Sequence, residues 1–496
     1  MIGIAPVFSD RMILQRGKNI NVFGTGSDGE RVTVSFCGDT AEAVVSGGRW
    51  KAVLPARQSG SDLTMTVEAE GFSRTFSDIA MGEVWLAGGQ SNMEYELQNC
   101  TTGKDHLEND KPDVRFYYTP KINLYEPGYD AAMKNTCWNR FDSETAKCWS
   151  AIGYIFAKKL SEKLGCPVGV IGCNWGGTKA SHWMSEESLR KDEDMRHDYD
   201  AYKNACAGKT DEELTKEFRD YESYHNEWNR RNAEYYSTAE NPTWDECLKV
   251  CGECRYPGPP LPLNPMRACA LYESMIKVVC PYTLAGFLYY QGESDDVDPE
   301  PYYKLLRGLI TLWRDDWGDD GLPFLIVQLP MHLYSGDTDR KNWCVIREAQ
   351  DKAYRTLRNT GFAVGIDCGE FNEIHPHDKE QIAHRLYLQA LYCAYGDRNE
   401  AYVPPMFDSC IRKGSTVEVS VKTASDLEVR GKRSGFEIAG ADGNYVPADF
   451  EVKGKIITVS SPEVKEPLHV RYLWTNYSAD IPVYNADGLP LAPFRA

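Results

Sequence analysis

The stretch GEVWLAGGQSNME, residues 82–94, decides how the chain is read. Val84–Ala87 is a short apolar run of the kind that forms a buried strand, and Gly88-Gly89 closes it with a tight turn. Gln90-Ser91-Asn92-Met93-Glu94 follows at once. A serine on such a turn exposes its hydroxyl and can offer its backbone N–H to an oxyanion. The pattern is not the G-x-S-x-G elbow, because position 93 is Met. Taken alone, Ser91 reads first as the cap of a following helix.

Three further clusters change that reading by where they fall. Asn174-Trp175-Gly176-Gly177-Thr178 follows the apolar run Val168–Cys173. Gln291-Gly292-Glu293-Ser294-Asp295 follows Leu284–Tyr290, and Glu370–Pro376 follows Phe362–Asp367. Helical stretches alternate with these strands. Residues 145–164 carry an apolar stripe (Ile152, Ile155, Phe156, Leu160, Leu164) stopped by Gly165 and Pro167, and Tyr303–Trp313 and Ile346–Leu357 also read as helices. Such alternation predicts a parallel sheet covered by helices on both faces, with Phe324–Leu329 as another strand. The carboxyl ends of parallel strands share one edge, where ligands bind. Four polar clusters at one edge read as a site rather than as four turns.

The flanks differ from this core. Residues 1–80 contain short strands such as Arg31–Phe36 and Trp50–Leu54 between Gly-containing turns, the pattern of a β-sandwich. Residues 403–496 return to short strands and form a second β-region. Between them, residues 81–402 form the expected catalytic domain, carrying a charged helical insertion at about 185–262 that reads as a lid or as a solvated excursion.

Composition narrows the partners. The 496 residues hold 55 Lys and Arg against 73 Asp and Glu, a net charge of −18 that opposes general binding to nucleic acid or anionic membrane. No apolar run approaches the roughly 20 residues of a membrane span. Aromatic residues, 12% of the chain, suit sugar rings but also fill cores. The 16 cysteines are scattered and read as reduced structural thiols; Cys247, Cys251 and Cys254 lack a fourth zinc ligand nearby. The opening MIGIAPVFSDRM lacks a secretory pattern, so the chain reads as cytoplasmic, or as secreted or periplasmic if a leader precedes this sequence. Oligomeric state is not legible.

GEVWLAGGQSNME, NWGGTKASHW, YYQGESD and NEIHPHDK together resemble the blocks of the SGNH/GDSL hydrolase superfamily, and in detail the sialate O-acetylesterase family of carbohydrate esterases. PVFSDRMILQRGKNINVFG near the start and NADGLPLAPFRA at the end carry the resemblance across nearly the whole chain. It implies an α/β fold with an SGNH-hydrolase (flavodoxin-like) α/β/α core, flanked by N- and C-terminal β-sandwich regions. It implies Ser91 as nucleophile and His375 as general base and acid. Oxyanion donors would be the N–H of Ser91, the N–H of Gly177 or its neighbour Gly176, and the Gln291 side chain. Glu94, Trp175 and Glu293, with His182 and Trp183, lie near this site by sequence and read either as sugar contacts or as structural residues.

One departure matters. The superfamily places Asp three residues before its histidine, and position 372 is Asn. The third member is then Glu373, Asp367 or a backbone carbonyl, with Glu373 preferred. The string His375-Pro376-His377-Asp378 also suggests a metal site, but the resemblance already employs His375, so neither metal nor organic cofactor is expected. The expected activity is removal of O-acetyl groups from sialic acids, free or glycan-linked, through an acetyl-serine. Deacetylation of acetylxylan or another glycan is the alternative within enzymes. A non-catalytic glycan-binding protein and a metal-dependent deacetylase are readings of other classes.

Overall fold

The computed structural model describes residues 2–240 and 243–496. Its central sheet is built from β1 (Phe72–Gly89), β2 (Val114–Tyr118), β3 (Trp138–Arg140), β4 (Val168–Asn174), β5 (Gly286–Tyr290), β6 (Phe324–Val327) and β7 (Thr360–Ala363). Their order across the sheet is β3-β2-β4-β1-β5-β6-β7. Neighbours run parallel except β3, which pairs antiparallel with β2 at one edge. Strands β4 to β7 are buried at every position. They show no in–out alternation because both faces of the sheet are covered.

The main helices are α1 (Ala151–Leu164), α2 (Asp211–Thr238), α3 (Tyr302–Trp317), α4 (Asn342–Thr356) and α5 (Glu380–Ala394). Trp85 and Gly88 lie three residues apart on β1 and therefore face opposite sides of the sheet. Trp85 packs edge-on against Phe156 of α1, with ring centroids 5.2 Å apart, and donates its indole N–H to Tyr395 just beyond α5. Gly88 faces Trp313 of α3, whose ring would lie 2.8 Å from an added Cβ. Helix α1 starts where the Ser150 hydroxyl accepts the Gly153 N–H and stops at left-handed Gly165.

Strand β1 is 18 residues long and belongs to two environments. Its first half pairs antiparallel with Gly60–Ala69 and, further on, parallel with Ile13–Gln15. Its second half lies between β4 and β5. The boundary expected near residue 80 thus falls inside one continuous strand. Ahead of it, Arg31–Phe36 pairs with Asp39–Val44 and Gly60–Ala69, and Ile20–Thr25 pairs with Arg49–Leu54. At the other end of the chain a seven-stranded antiparallel sheet runs from Met406–Lys413 to Phe494–Arg495.

In the insertion, Thr210 and Glu213 cap α2 reciprocally. Two small clusters hold the segment together, one around Phe218 and Leu261, the other around Trp228, Cys247 and Cys251. Cys247 and Cys251 pack there as hydrophobes, with sulfurs 3.8 Å apart. Among the described residues no helix is long and apolar enough to cross a membrane.

The junction at the end of β1 tolerates no side chain. Gly89 has φ +135°, and an added Cβ would lie 2.1 Å from the Tyr290 carbonyl oxygen. Gly89→Ala should cost about 2–3 kcal/mol of stability through backbone strain and the forced separation of β1 from β5. Denaturant unfolding measures this, and an unchanged midpoint would show that the two strands part freely.

Candidate active site

Three of the four sequence clusters leave the sheet side by side. Gly89 is in register with Asn174 of β4 and Tyr290 of β5, so the turns after β4, β1 and β5 begin at one level. The fourth cluster arrives from beyond β7, after a 3₁₀ turn at Ile366–Cys368. The strand expected as Phe362–Asp367 ends earlier, at Ala363, which frees the chain to reach back towards Ser91.

Ser91 opens the single-turn helix Ser91–Glu94. Gln90 fixes that turn from below: its N–H donates to the Tyr290 carbonyl at 3.1 Å, and its side-chain oxygen accepts the N–H groups of Gly292 and Ser294. His375 Nε2 lies 2.8 Å from Ser91 Oγ, a hydrogen bond across 284 residues of sequence. The His375 N–H donates to Glu373 Oε1 at 2.7 Å, and that same oxygen stands 3.6 Å from Nδ1. The second separation is too long for a hydrogen bond but close enough for the carboxylate to act on the imidazole by charge.

The other proposed carboxylate, and the residue at the superfamily's usual Asp position, are engaged elsewhere. Asp367 is held bidentately by Arg385 at 2.6 and 2.8 Å. Asn372 adopts φ +64°, and its side-chain oxygen accepts the Ser335 N–H. Glu373 is therefore the carboxylate that stands beside the imidazole. Burial holds the His375 pKa below its usual value; Glu373 and Glu94 push it up, and Lys379 pushes it down. The ring is neutral at neutral pH, with an acceptor for the serine proton.

Beneath the pair lies a chain of buried polar groups. Lys379 Nζ donates to Asn92 Oδ1 at 2.7 Å, and Asn92 Nδ2 donates to Glu293 Oε1 at 2.8 Å and to the Ile374 carbonyl at 2.9 Å. Asn92 thus ties the residue after Ser91 to the residue before His375. Burial pulls the Lys379 pKa down to about 8 and pushes that of Glu293 up.

Two backbone N–H groups suit an oxyanion. Those of Ser91 and Gly177 have no acceptor among the described residues. Gly176, offered from sequence as an alternative to Gly177, is occupied: its N–H donates to Glu94 Oε2 at 2.6 Å. Glu94 also pairs with Lys121, so it braces the glycine turn against the serine turn. A Cβ on Gly176 would lie 3.2 Å from that of Ser91, which measures how closely the two turns abut.

Gln291 requires a correction. Its side chain was expected to supply a third oxyanion donor. Instead Gln291 is 1% exposed, its Nε2 donates to Gln90, the Thr178 carbonyl and Asp295, and its Oε1 accepts from Tyr289 and Tyr302. Every donor is spent inside the protein, so the residue braces the turns. Trp175 is half-buried and donates its N–H to Gly89. His182 and Trp183 are buried, and burial lowers the His182 pKa to about 4. His377 pairs with Glu370 through Nδ1 at 3.0 Å.

Gln90, Asn92 and Lys379 were given no role from sequence. Gln90 and Asn92 flank Ser91 in the quoted block, and Lys379 ends NEIHPHDK, so adjacency to the chemistry was the available signal.

Fold and site together define a carbohydrate esterase as the class to which the chain is similar. A carbohydrate acetylesterase from Xanthomonas citri superposes with a TM-score of 0.79 at 28% identity, covering 100% of this chain and 99% of that one. Within the class, the resemblance shown is to sialate O-acetylesterases. Residues 264–386 match the family model for carbohydrate esterase, sialic acid-specific acetylesterase. The sialate O-acetylesterases of Mus musculus and Homo sapiens are each 24% identical over 99% of this chain, covering 94% and 92% of their own lengths.

Two pH measurements test this electrostatic arrangement. In kcat/KM profiles the acidic limb should move to lower pH in Glu373→Gln and to higher pH in Lys379→Met, because each variant removes one charge acting on His375. Glu373→Gln should also lower kcat/KM by about ten-fold or more through lost imidazolium stabilisation. A Glu373→Gln profile that overlays wild type would remove Glu373 from this role.

Asp295 supplies the second. Desolvation raises its pKa to about 7 from 3.8, against the hydrogen bonds from Gln291 and the Ala180 N–H. The folded chain then keeps a proton that the unfolded chain has released, so this carboxyl's contribution to stability is complete below about pH 4 and is lost as pH rises through about 7. Asp295→Asn should flatten that decline in unfolding midpoints, and an unchanged slope would assign it to other groups.

Proposed function

We propose that the chain removes O-acetyl groups from sialic acids through an acetyl-serine intermediate and releases acetate. The 2.8 Å contact between Ser91 Oγ and His375 Nε2 carries the mechanism. Carbohydrate O-acetylesterase activity is supported by the match of residues 264–386 and by the similarity to the X. citri acetylesterase along the whole chain. The choice of sialic acid rests on the family to which those residues correspond.

In this reading Ser91 Oγ attacks the acetyl carbonyl carbon while His375 Nε2 takes its proton, a contribution of roughly 10²–10⁴-fold. The N–H groups of Ser91 and Gly177 receive the oxyanion, and each such donor is worth about 10²–10³ in rate. The tetrahedral species collapses, the bond to the sugar oxygen breaks, and His375 returns the proton to that oxygen. Water then attacks the acetyl-serine with His375 again as base, which frees acetate and restores the hydroxyl. Glu373 favours the imidazolium by its charge. The parallel core belongs, in the same reading, to the SGNH type, with residues 1–80 and 403–496 as flanking β-regions of a catalytic domain at 81–402.

Ser91→Ala should abolish hydrolysis of a chromogenic acetate ester, by about 10³-fold or more. Undiminished turnover would reject the covalent mechanism, and inhibition of wild type by chelators would favour a metal-dependent one. Acetate release from O-acetylated N-acetylneuraminate should exceed release from acetylxylan, and the reverse preference would replace the substrate.

A further inference from the structure

One side chain of the helical insertion reaches the glycine turn beside Ser91. Tyr256 lies on the segment that returns from α2 to the core, and its hydroxyl donates to the Gly177 carbonyl at 3.1 Å. Met266 Sδ stands 3.6 Å from the same hydroxyl, but the carbonyl oxygen is nearer and is the better acceptor. An added Cβ on Gly177 would lie 2.0 Å from that hydroxyl, so Tyr256 closes directly on the turn.

The contact matters because of where Gly177 sits. Glycine sterics restrict the backbone less than those of any other residue, and Gly177, with φ +74°, follows a second glycine. The place of its N–H is therefore set by what holds the chain on either side. Before it, the Gly176 N–H donates to Glu94 Oε2 at 2.6 Å. After it, the Gly177 carbonyl accepts from Tyr256, its one side-chain partner among the described residues. The Gly177 N–H between these two holds is the one left free for an oxyanion.

Tyr256 is itself fixed. From α2, the Trp228 indole N–H donates to the Gly252 carbonyl at 2.9 Å and the Tyr224 hydroxyl to the Glu253 carbonyl at 2.6 Å. Buried Asn264 donates through Nδ2 to the Pro257 and Pro259 carbonyls, each at 2.9 Å. These bonds bracket Tyr256 on both sides, and the prolines stiffen the segment that follows it. The His225 ring of α2 packs beside it, with centroids 5.9 Å apart. A cavity of about 490 Å³ opens next to the contact, lined by Gly177, Tyr256, Met266 and Ser294 among others. The hydroxyl thus spans the edge of a gap and is not one contact within a packed face.

We propose that Tyr256 is a positioning residue for the oxyanion donor: its hydroxyl, held by the insertion, fixes where the Gly177 N–H stands relative to that of Ser91. The inference rests on the acetyl-serine reading and deepens it by giving the insertion a part in the reaction. Tyr256 acts through Gly177 and not by charge, since burial raises its pKa and keeps the phenol protonated.

Kinetics of the full chain on a chromogenic acetate ester test this. The kcat is referred to the Ser91 that a fluorophosphonate labels to completion, so that unfolded chains do not count. Tyr256→Phe should lower kcat about ten-fold and leave KM within about two-fold, because acylation and deacylation both form an oxyanion while the bound ester does not. The acidic limb of its pH profile should overlay wild type, because no charge near His375 changes. Tyr256→Leu, which also lacks the hydroxyl, should lose at least as much and serves if Tyr256→Phe fails to fold. A kcat within about two-fold of wild type overturns the inference, and so does a loss confined to KM, which would make Tyr256 a substrate contact. A shifted acidic limb overturns it as well. Met266→Leu should match wild type; a ten-fold loss there would assign the hydroxyl to the thioether instead. If wild type fails to turn over, or Ser91→Ala retains turnover, the acetyl-serine reading falls and this inference with it. Wild-type turnover that Tyr256→Phe matches removes the positioning role alone.

Discussion

Everything at the site depends on the register of β1 between β4 and β5. In a parallel sheet each strand leaves the same edge, but the level at which its turn begins is set by hydrogen-bond pairing. Here Gly89 stands opposite both Asn174 and Tyr290, and three turns start together. A slip of one residue would move the serine turn by about 3.3 Å and invert the facing of every β1 side chain. The close approach of Gly89 to the Tyr290 carbonyl is how the sequence enforces that pairing, because only a residue without Cβ closes the gap.

The layout of the core was legible because glycine and polar clusters punctuate apolar runs, and because buried parallel strands need no alternation. Strand β2 escaped notice because Arg115 interrupts it; the guanidinium is buried and donates to the carbonyls of Arg11 and Asp78, a use that no local pattern reveals. The site divides in the same way. Ser91, His375 and Gly177 stand in motifs whose glycines and proline mark them. Gln291 stands in one too, yet the direction of an amide depends on neighbours from Tyr289 to Tyr302 and on Asp295. The Lys379–Asn92–Glu293 chain joins residues more than 200 positions apart, and no periodicity encodes such a meeting.

The overall charge of −18 gives a poor account of the site. Acidic groups are numerous around Ser91, but most are engaged where they stand: Glu94 by Lys121 and a backbone N–H, Glu370 by hydrogen bonds from the His377 backbone and to its ring, and Asp367 by Arg385. Glu293 is different, since it reaches Lys379 only through Asn92 and keeps one oxygen free. The local field at His375 is therefore a balance of a few neighbours, Glu373 and Glu94 against Lys379 and His377, over a larger effect of burial.

The length of β1 has a mechanical meaning. Its first half is stitched to Gly60–Ala69, and its second half ends at the serine turn. Peeling the early strands away would strip hydrogen-bond partners from the very segment that carries the nucleophile. The first eighty residues, which contribute no reacting group, thus act as an anchor for the turn. Cleavage within that outlying β-structure would therefore take pairing away from the strand that ends at the serine turn.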